Sequence, residues 1–172
     1  MQTIYKLQGK IQHYSWGGYH FIPQLLNIEN KEHLPFAEYW LGAHPNHPSK
    51  LQANGASIAL NDFISNKNIQ PLPYLLKVLD VRQMLSIQVH PNKANAKAGF
   101  ENEDKLNIPM TAAHRNYKDD NHKPELLVAL SDFWLLHGFK PSEDLHHTLK
   151  ETTELNFLFP FFENADYQGL YE

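Results

Sequence analysis

From Leu75 to Val89 the chain places apolar or β-branched side chains at Leu75, Leu76, Val78, Leu79, Val81, Leu85, Ile87 and Val89. Such a run reads as strand, and side chains alternate between the two faces of a strand. Gln88 and His90 therefore fall on the same side, just ahead of Pro91. Some thirty residues later a polar stretch, Asp119-Asp120-Asn121-His122-Lys123, runs into Pro124 and then into Glu125-Leu126-Leu127-Val128-Ala129-Leu130. That pattern is a loop entering a buried strand with a carboxylate at its mouth. An imidazole nitrogen, an amide oxygen and a carboxylate form a borderline ligand set suited to zinc, and three protein ligands with an open position make a catalytic arrangement. Taken alone, Gln88 and His90 read more readily as exposed polar residues at a strand end, and 119–125 as a solvated charged turn.

Composition removes several function classes. The chain has 172 residues, 42% of them apolar and 12% aromatic, enough for one sizeable core. Its net charge of −4, with lysines and arginines scattered, offers no basic stripe for a nucleic-acid backbone. The absence of cysteine excludes a disulfide framework and thiolate metal sites. The start Met1-Gln2-Thr3-Ile4-Tyr5-Lys6 lacks a signal-peptide apolar region, and no apolar run approaches the roughly 20 residues of a membrane helix. A soluble cytoplasmic protein is expected, and the sequence leaves its oligomeric state open.

Local signals predict a strand over 2–13 that turns at Ser15-Trp16-Gly17-Gly18, and a strand or short helix over 36–42. A short helix is predicted over 58–65, then strands over 73–80 and 84–90. Residues 92–106, rich in alanine and lysine, read as a helix that Asn92 caps. Strands over 125–130 and 133–139 follow, and Ser142 is placed to cap a helix through Lys150. The tail from 151 reads as helical despite Pro160. Periodicity supports an α+β fold with a β-rich core, with one boundary near 141. Most of the eleven histidines have ordinary explanations: His44 and His47 lie in a proline-punctuated loop, and His146-His147 in an amphipathic segment. His122 reads as a supporting residue rather than a ligand.

The strings YKDDNHKPELLVAL, LSIQVHP, LPYLLKVLD and AEYWLGAHP, with the aromatic-glycine stretch His13-Tyr14-Ser15-Trp16-Gly17, resemble in order and spacing the matching blocks of type I phosphomannose isomerases. The resemblance implies a zinc-dependent aldose–ketose isomerase that interconverts mannose 6-phosphate and fructose 6-phosphate through a cis-enediol. It implies a cupin-like jelly roll over 1–140 and the beginning of a helical domain, cut short, over 141–172. Carried over by position, the family's metal ligands fall on Gln88, His90 and Glu125. Its fourth ligand, a histidine, and a catalytic arginine lie beyond residue 172. Lys123 matches a position suited to proton transfer or to holding a substrate oxygen. Trp16, Lys77, Ser86 and Glu38 match pocket-lining positions. Lys77 also stands out without the resemblance, since an unpaired charge in an apolar strand is costly and an anionic ligand would offset it. Glu38, beside Tyr39 and Trp40, reads otherwise as a surface carboxylate. Because the fourth ligand is missing, the alternative is a non-catalytic cupin-type module that binds sugar phosphate, or an inactive fragment.

Overall fold

The computed structural model describes residues 4–53 and 55–171. The chain divides into two units, one ending at Leu136 and one beginning at His137.

The first unit opens with two short strands, β1 (Leu7–Gln8) and β2 (Lys10–Gln12), where one strand over 2–13 is predicted from sequence. Residues 2 and 3 lie outside the described residues. Gly9 lies between the two strands, where a Cβ would collide with the Trp40 carbonyl and the Tyr39 ring. Helix α1 (Phe21–Leu26) follows, then β3 (Glu38–Leu41), β4 (Lys50–Ala53) and β5 (Ala56–Ala59). Helix α2 (Leu60–Asn66) and β6 (Leu76–Leu79) complete this part of the chain. The helix predicted over 58–65 begins two residues later, at Leu60, because Ile58 and Ala59 pair with Leu51 and Lys50.

Two three-stranded antiparallel sheets result, one ordered β1-β4-β5 and the other β2-β3-β6. Leu51, Leu60 and Ile64 bury the space between the first sheet and α2, with Tyr5, Leu7, Ala43, Ile58 and Phe63 around them. In the second sheet the register sets Lys10, Trp40 and Lys77 in one row and Gln12, Glu38 and Leu79 two rows on. Gly17 and Gly18 bridge to Val81 and Phe36, so the 13–18 turn is fastened beside this sheet.

The predicted strands over 84–90, 125–130 and 133–139 do not form. A strand needs a ladder of backbone partners as well as suitable residues. Among the described residues these segments find only the single parallel bridge Leu85 to Leu135, with Leu136 N–H donating to the Leu85 carbonyl at 3.1 Å. The helix between them does form. In α3 (Lys93–Lys105) the Asn92 side chain accepts from Asn95 N–H at 2.9 Å, the expected cap. The helix ends at Asn107, whose φ of 55° is tolerated in asparagine and lets Ile108 N–H reach back to the Glu103 carbonyl.

In the second unit, α4 (Ser142–Glu151), a 3₁₀ turn (Thr153–Leu158), α5 (Phe159–Glu163) and α6 (Tyr167–Tyr171) follow in succession. Pro141, not Ser142, occupies the N-cap position of α4, and no side chain caps that end. His146 lies against Phe159 and Phe162, and Leu149 is buried. The chain is thus a mixture of small open sheets and helices, consistent with the α+β expectation.

Candidate active site

Two groups of side chains carry the chemistry in the first unit. One is built by α3, which acts as a ruler. Thirteen residues at about 1.5 Å per residue carry the chain roughly 20 Å away from His90. Segment 115–121 then returns along it, tied at several points. Arg115, nearly fully buried, donates to Asp104 at 2.8 Å and to the Ile108 and Tyr117 carbonyls. The Glu103 carboxylate accepts from the backbone N–H of Asn116 at 3.0 Å and of Tyr117 at 2.8 Å. The Tyr117 ring lies over Gly99, and Lys93 at the start of the helix hydrogen-bonds Asn121. Burial alone would raise the Glu103 pKa; the two backbone donors and Arg115 outweigh it, and the carboxyl is held below its ordinary value.

This return path brings Glu125 back to His90. Glu125 Oε2 lies 3.9 Å from His90 Nδ1, with the histidine side chain 31% and the carboxylate 56% exposed. Two donors on one tetrahedral zinc ion at about 2.0–2.2 Å each stand about 3.3–3.6 Å apart, so the pair lies a few tenths of an ångström wider than a shared ion would hold it. Gln88 and Ser86 lie on the same segment as His90, exposed, and Lys123 is exposed two residues before Glu125. Among the described residues no three His, Asp or Glu side chains converge on one point.

The other group belongs to the second sheet. Residues two apart on β3 share a face, and Glu38 and Trp40 are both buried there. The Trp40 indole N–H donates to the Glu38 carboxylate. Lys77, opposite Trp40 in register, sets its Nζ 5.0 Å from the ring centroid and 3.8 Å from Glu38. Glu38 is therefore not the surface carboxylate its neighbours suggest. It accepts from Trp40 and balances the Lys77 charge, an arrangement that satisfies a buried carboxylate.

His44 and His47 also pack against Trp40, at 4.8 and 5.7 Å between ring centroids. His44 is held below the ordinary histidine pKa, first by burial and then by the charges of His47, Lys123 and Lys77, with Asp119 opposing them. That influence reaches from Lys77 on the sheet to Lys123 beside Glu125. Trp16 is half-buried and stacked on Tyr14 at 5.7 Å, and the Tyr14 pKa is raised by burial and by the charge of Glu38. Tyr14, Trp40 and His44 escape a sequence reading based on ligands. The signal for Trp40 and His44 lay in the AEYWLGAHP string, and that for Tyr14 in the aromatic-glycine stretch His13–Gly17.

The chain matches the model of the phosphomannose isomerase type I catalytic domain over residues 4–142. It belongs to that family. It is 44% identical over 152 residues to mannose-6-phosphate isomerase of Salmonella typhimurium, covering 81% of this chain and 39% of that protein. It is 36% identical over 175 residues to mannose-6-phosphate isomerase of Macaca fascicularis, covering 90% of this chain and 39% of that protein. A crystal structure of the Salmonella typhimurium enzyme bound to fructose 6-phosphate and zinc superposes with a TM-score of 0.63 at 44% identity, over 71% of this chain and 34% of that one. A zinc-bound mannose 6-phosphate isomerase gives a TM-score of 0.61 at 43% identity, over 69% and 33%. The chain spans about two fifths of the length of the curated relatives it matches.

Proposed function

We propose that this chain supplies the metal-holding and part of the substrate-holding residues of a zinc-dependent isomerase that interconverts mannose 6-phosphate and fructose 6-phosphate through a cis-enediol. The observation that carries this reading is the approach of His90 to Glu125 at 3.9 Å, in a family whose solved members include zinc-bound and fructose 6-phosphate-bound forms. Single-residue variants of the Salmonella typhimurium enzyme replace a lysine, a histidine and a glutamate. Those three stand at the same separations in sequence as Lys77, His90 and Glu125 here, which supports assigning the three to one site.

In this reading Gln88, His90 and Glu125 hold zinc, with a further donor from outside the chain. When bound, the ion would supply a Lewis acid to polarise the substrate oxygens on C1 and C2, the two carbons between which the proton moves. The chain's own groups do the rest. Lys77, its ammonium steadied by Glu38 and the Trp40 face, attracts the anionic substrate. Trp16 offers a flat apolar surface to a sugar face. Ser86 hydrogen-bonds a substrate oxygen, and Glu38 acts on substrate mainly by fixing Lys77. Lys123, among several cations, moves a proton or holds a substrate oxygen. Residues 1–140 form the metal-site domain in this proposal, completed as a jelly roll by further strands, and 141–172 begin a helical domain. The setting is cytoplasmic; no helix among the described residues is long and apolar enough to cross a membrane.

The test is a chimera in which residues 4–142 replace the matching part of the Salmonella typhimurium enzyme, assayed for zinc-dependent conversion of mannose 6-phosphate. Turnover should be lost in His90→Ala and in Glu125→Ala and should fall at least tenfold in Lys123→Met. Turnover that ignores zinc, or that survives the His90 and Glu125 substitutions, overturns the reading. Binding of zinc and fructose 6-phosphate with no turnover would favour a binding module instead.

A further inference from the structure

Just beyond the end of β6 the chain brings residue 82 against the 13–18 turn. Within that turn Gly17 N–H donates to the Tyr14 carbonyl at 3.0 Å, and the carbonyls of Ser15, Trp16 and Gly17 take their donors from elsewhere. All three meet one residue. Arg82 N–H donates to the Trp16 carbonyl at 3.1 Å, Arg82 Nε to the Gly17 carbonyl at 3.4 Å and Arg82 Nη2 to the Ser15 carbonyl at 3.3 Å. Gln83 N–H adds a second donor to the Trp16 carbonyl at 3.2 Å. A guanidinium is planar, and its fork reaches two carbonyls at once in a fixed geometry that a point charge lacks. The fork is itself held, because it lies 5.3 Å from the centroid of the Tyr19 ring, which is stacked on His33 at 4.4 Å with 6° between the planes.

The clamp fixes the aromatic pair on that turn. Tyr14, 41% exposed, stacks on half-buried Trp16 at 5.7 Å between centroids, and the charge of Glu38 reaches Tyr14. Glu38 in turn lies 3.8 Å from Lys77, the cation assigned above to the anionic substrate. One short stretch, 77–82, therefore carries both that cation and the clamp. We propose that Arg82 is a positioning residue for sugar binding: by holding the carbonyls of Ser15, Trp16 and Gly17 it fixes the Trp16 ring as a surface for the sugar face, without touching substrate itself. This role rests on the reading of Trp16 as a surface for the sugar. Without the clamp the turn spreads Trp16 over more orientations, so the ligand must order it and affinity falls.

The experiment compares the chain, with zinc present, to Arg82→Met, Trp16→Ala and the double variant. Two-dimensional NMR without ligand reads the contacts between the Tyr14 and Trp16 rings, and titration with mannose 6-phosphate reads affinity. In Arg82→Met those ring contacts should weaken and the dissociation constant should rise by roughly fivefold or more, with the circular dichroism spectrum unchanged. In the Trp16→Ala background the same substitution should change affinity by less than about twofold, because Arg82 acts through Trp16. If Arg82→Met does not fold, Arg82→Lys, which keeps the charge and loses the fork, takes its place in the same cycle, with an expected rise of roughly threefold. Ring contacts that persist in the Arg82 variant, or an affinity within twofold of the parent while Trp16→Ala weakens binding, would overturn this role alone. Equal weakening in both backgrounds would also overturn it, making Arg82 an independent contact for the phosphate. Binding that is indifferent to Trp16→Ala, or absent from the parent chain, would overturn the reading of Trp16 and the role of Arg82 with it.

Discussion

Trp40 and Lys77 face one another across the β3–β6 pair, the ammonium 5.0 Å from the indole centroid, and both lean on the same buried carboxylate of Glu38. Removing the acceptor strands a buried indole N–H and an uncompensated cation. Glu38→Ala should therefore destabilise the chain by about 1–3 kcal/mol. Trp40→Phe, which keeps the ring and removes the donor, should cost less in Glu38→Ala than in the parent chain. Urea denaturation of the two single variants and the double variant measures this coupling, and additive costs would mean that Glu38 and Trp40 act independently.

His44 should titrate below the ordinary histidine value of 6.5, because burial and nearby positive charges disfavour its protonated form. Taking away a neighbouring cation favours protonation, so Lys77→Met and Lys123→Met should each raise the His44 pKa, while Asp119→Asn should lower it. Histidine ring resonances followed by NMR through a pH titration give all three shifts.

The expected and observed structures part company where local pattern and tertiary partner differ. Helix α3 was legible because its determinants are local: Asn92 accepts from Asn95 within the chain's own first turn, and alanine and lysine favour helix. Strands β3 and β6 were legible because each found the other. Residues 84–90 and 125–130 carry equally good strand patterns and form none, because a β ladder needs a partner that periodicity cannot supply. Gln88, His90 and Glu125, the ligands proposed above, could be picked out as residue types in a motif. The role of Glu38 could not, because it depends on a register that sets Lys77 opposite Trp40. Nor could the strapping of 115–121 to α3, which rests on Arg115, an ordinary surface residue in any one-dimensional reading.

Acid should loosen that strap. The Glu103 carboxyl is held below its ordinary value of 4.5, burial being outweighed by the Asn116 and Tyr117 N–H groups and Arg115. A carboxylate with a depressed folded-state pKa contributes stability that is present above its unfolded pKa and lost as pH falls through the folded one. Stability by urea denaturation should thus decline on acidification below about pH 4.5. Glu103→Gln should be less stable at neutral pH and show a flatter decline.

Gly99 permits the Tyr117 ring to lie on α3, and a Cβ there would collide with it. Alanine is the better helix former by about 0.5–1 kcal/mol, yet overpacking a close contact costs about 1–3 kcal/mol, so Gly99→Ala should be destabilising on balance. Thermal unfolding measures the sign. Limited proteolysis should show faster cleavage within 116–125 in the variant, as the segment carrying Glu125 comes away from the helix.

X-ray absorption at the zinc edge, on the zinc-loaded chain, tests the metal assignment most directly. With Gln88, His90 and Glu125 as ligands, we expect a first shell of nitrogen and oxygen at about 2.0–2.2 Å with imidazole scattering. That scattering should be lost in His90→Ala, and the shell should change in Glu125→Ala. Spectra of both variants identical to that of the parent chain would contradict it, placing bound zinc on other histidines and leaving His90 and Glu125 as neighbours without a metal between them.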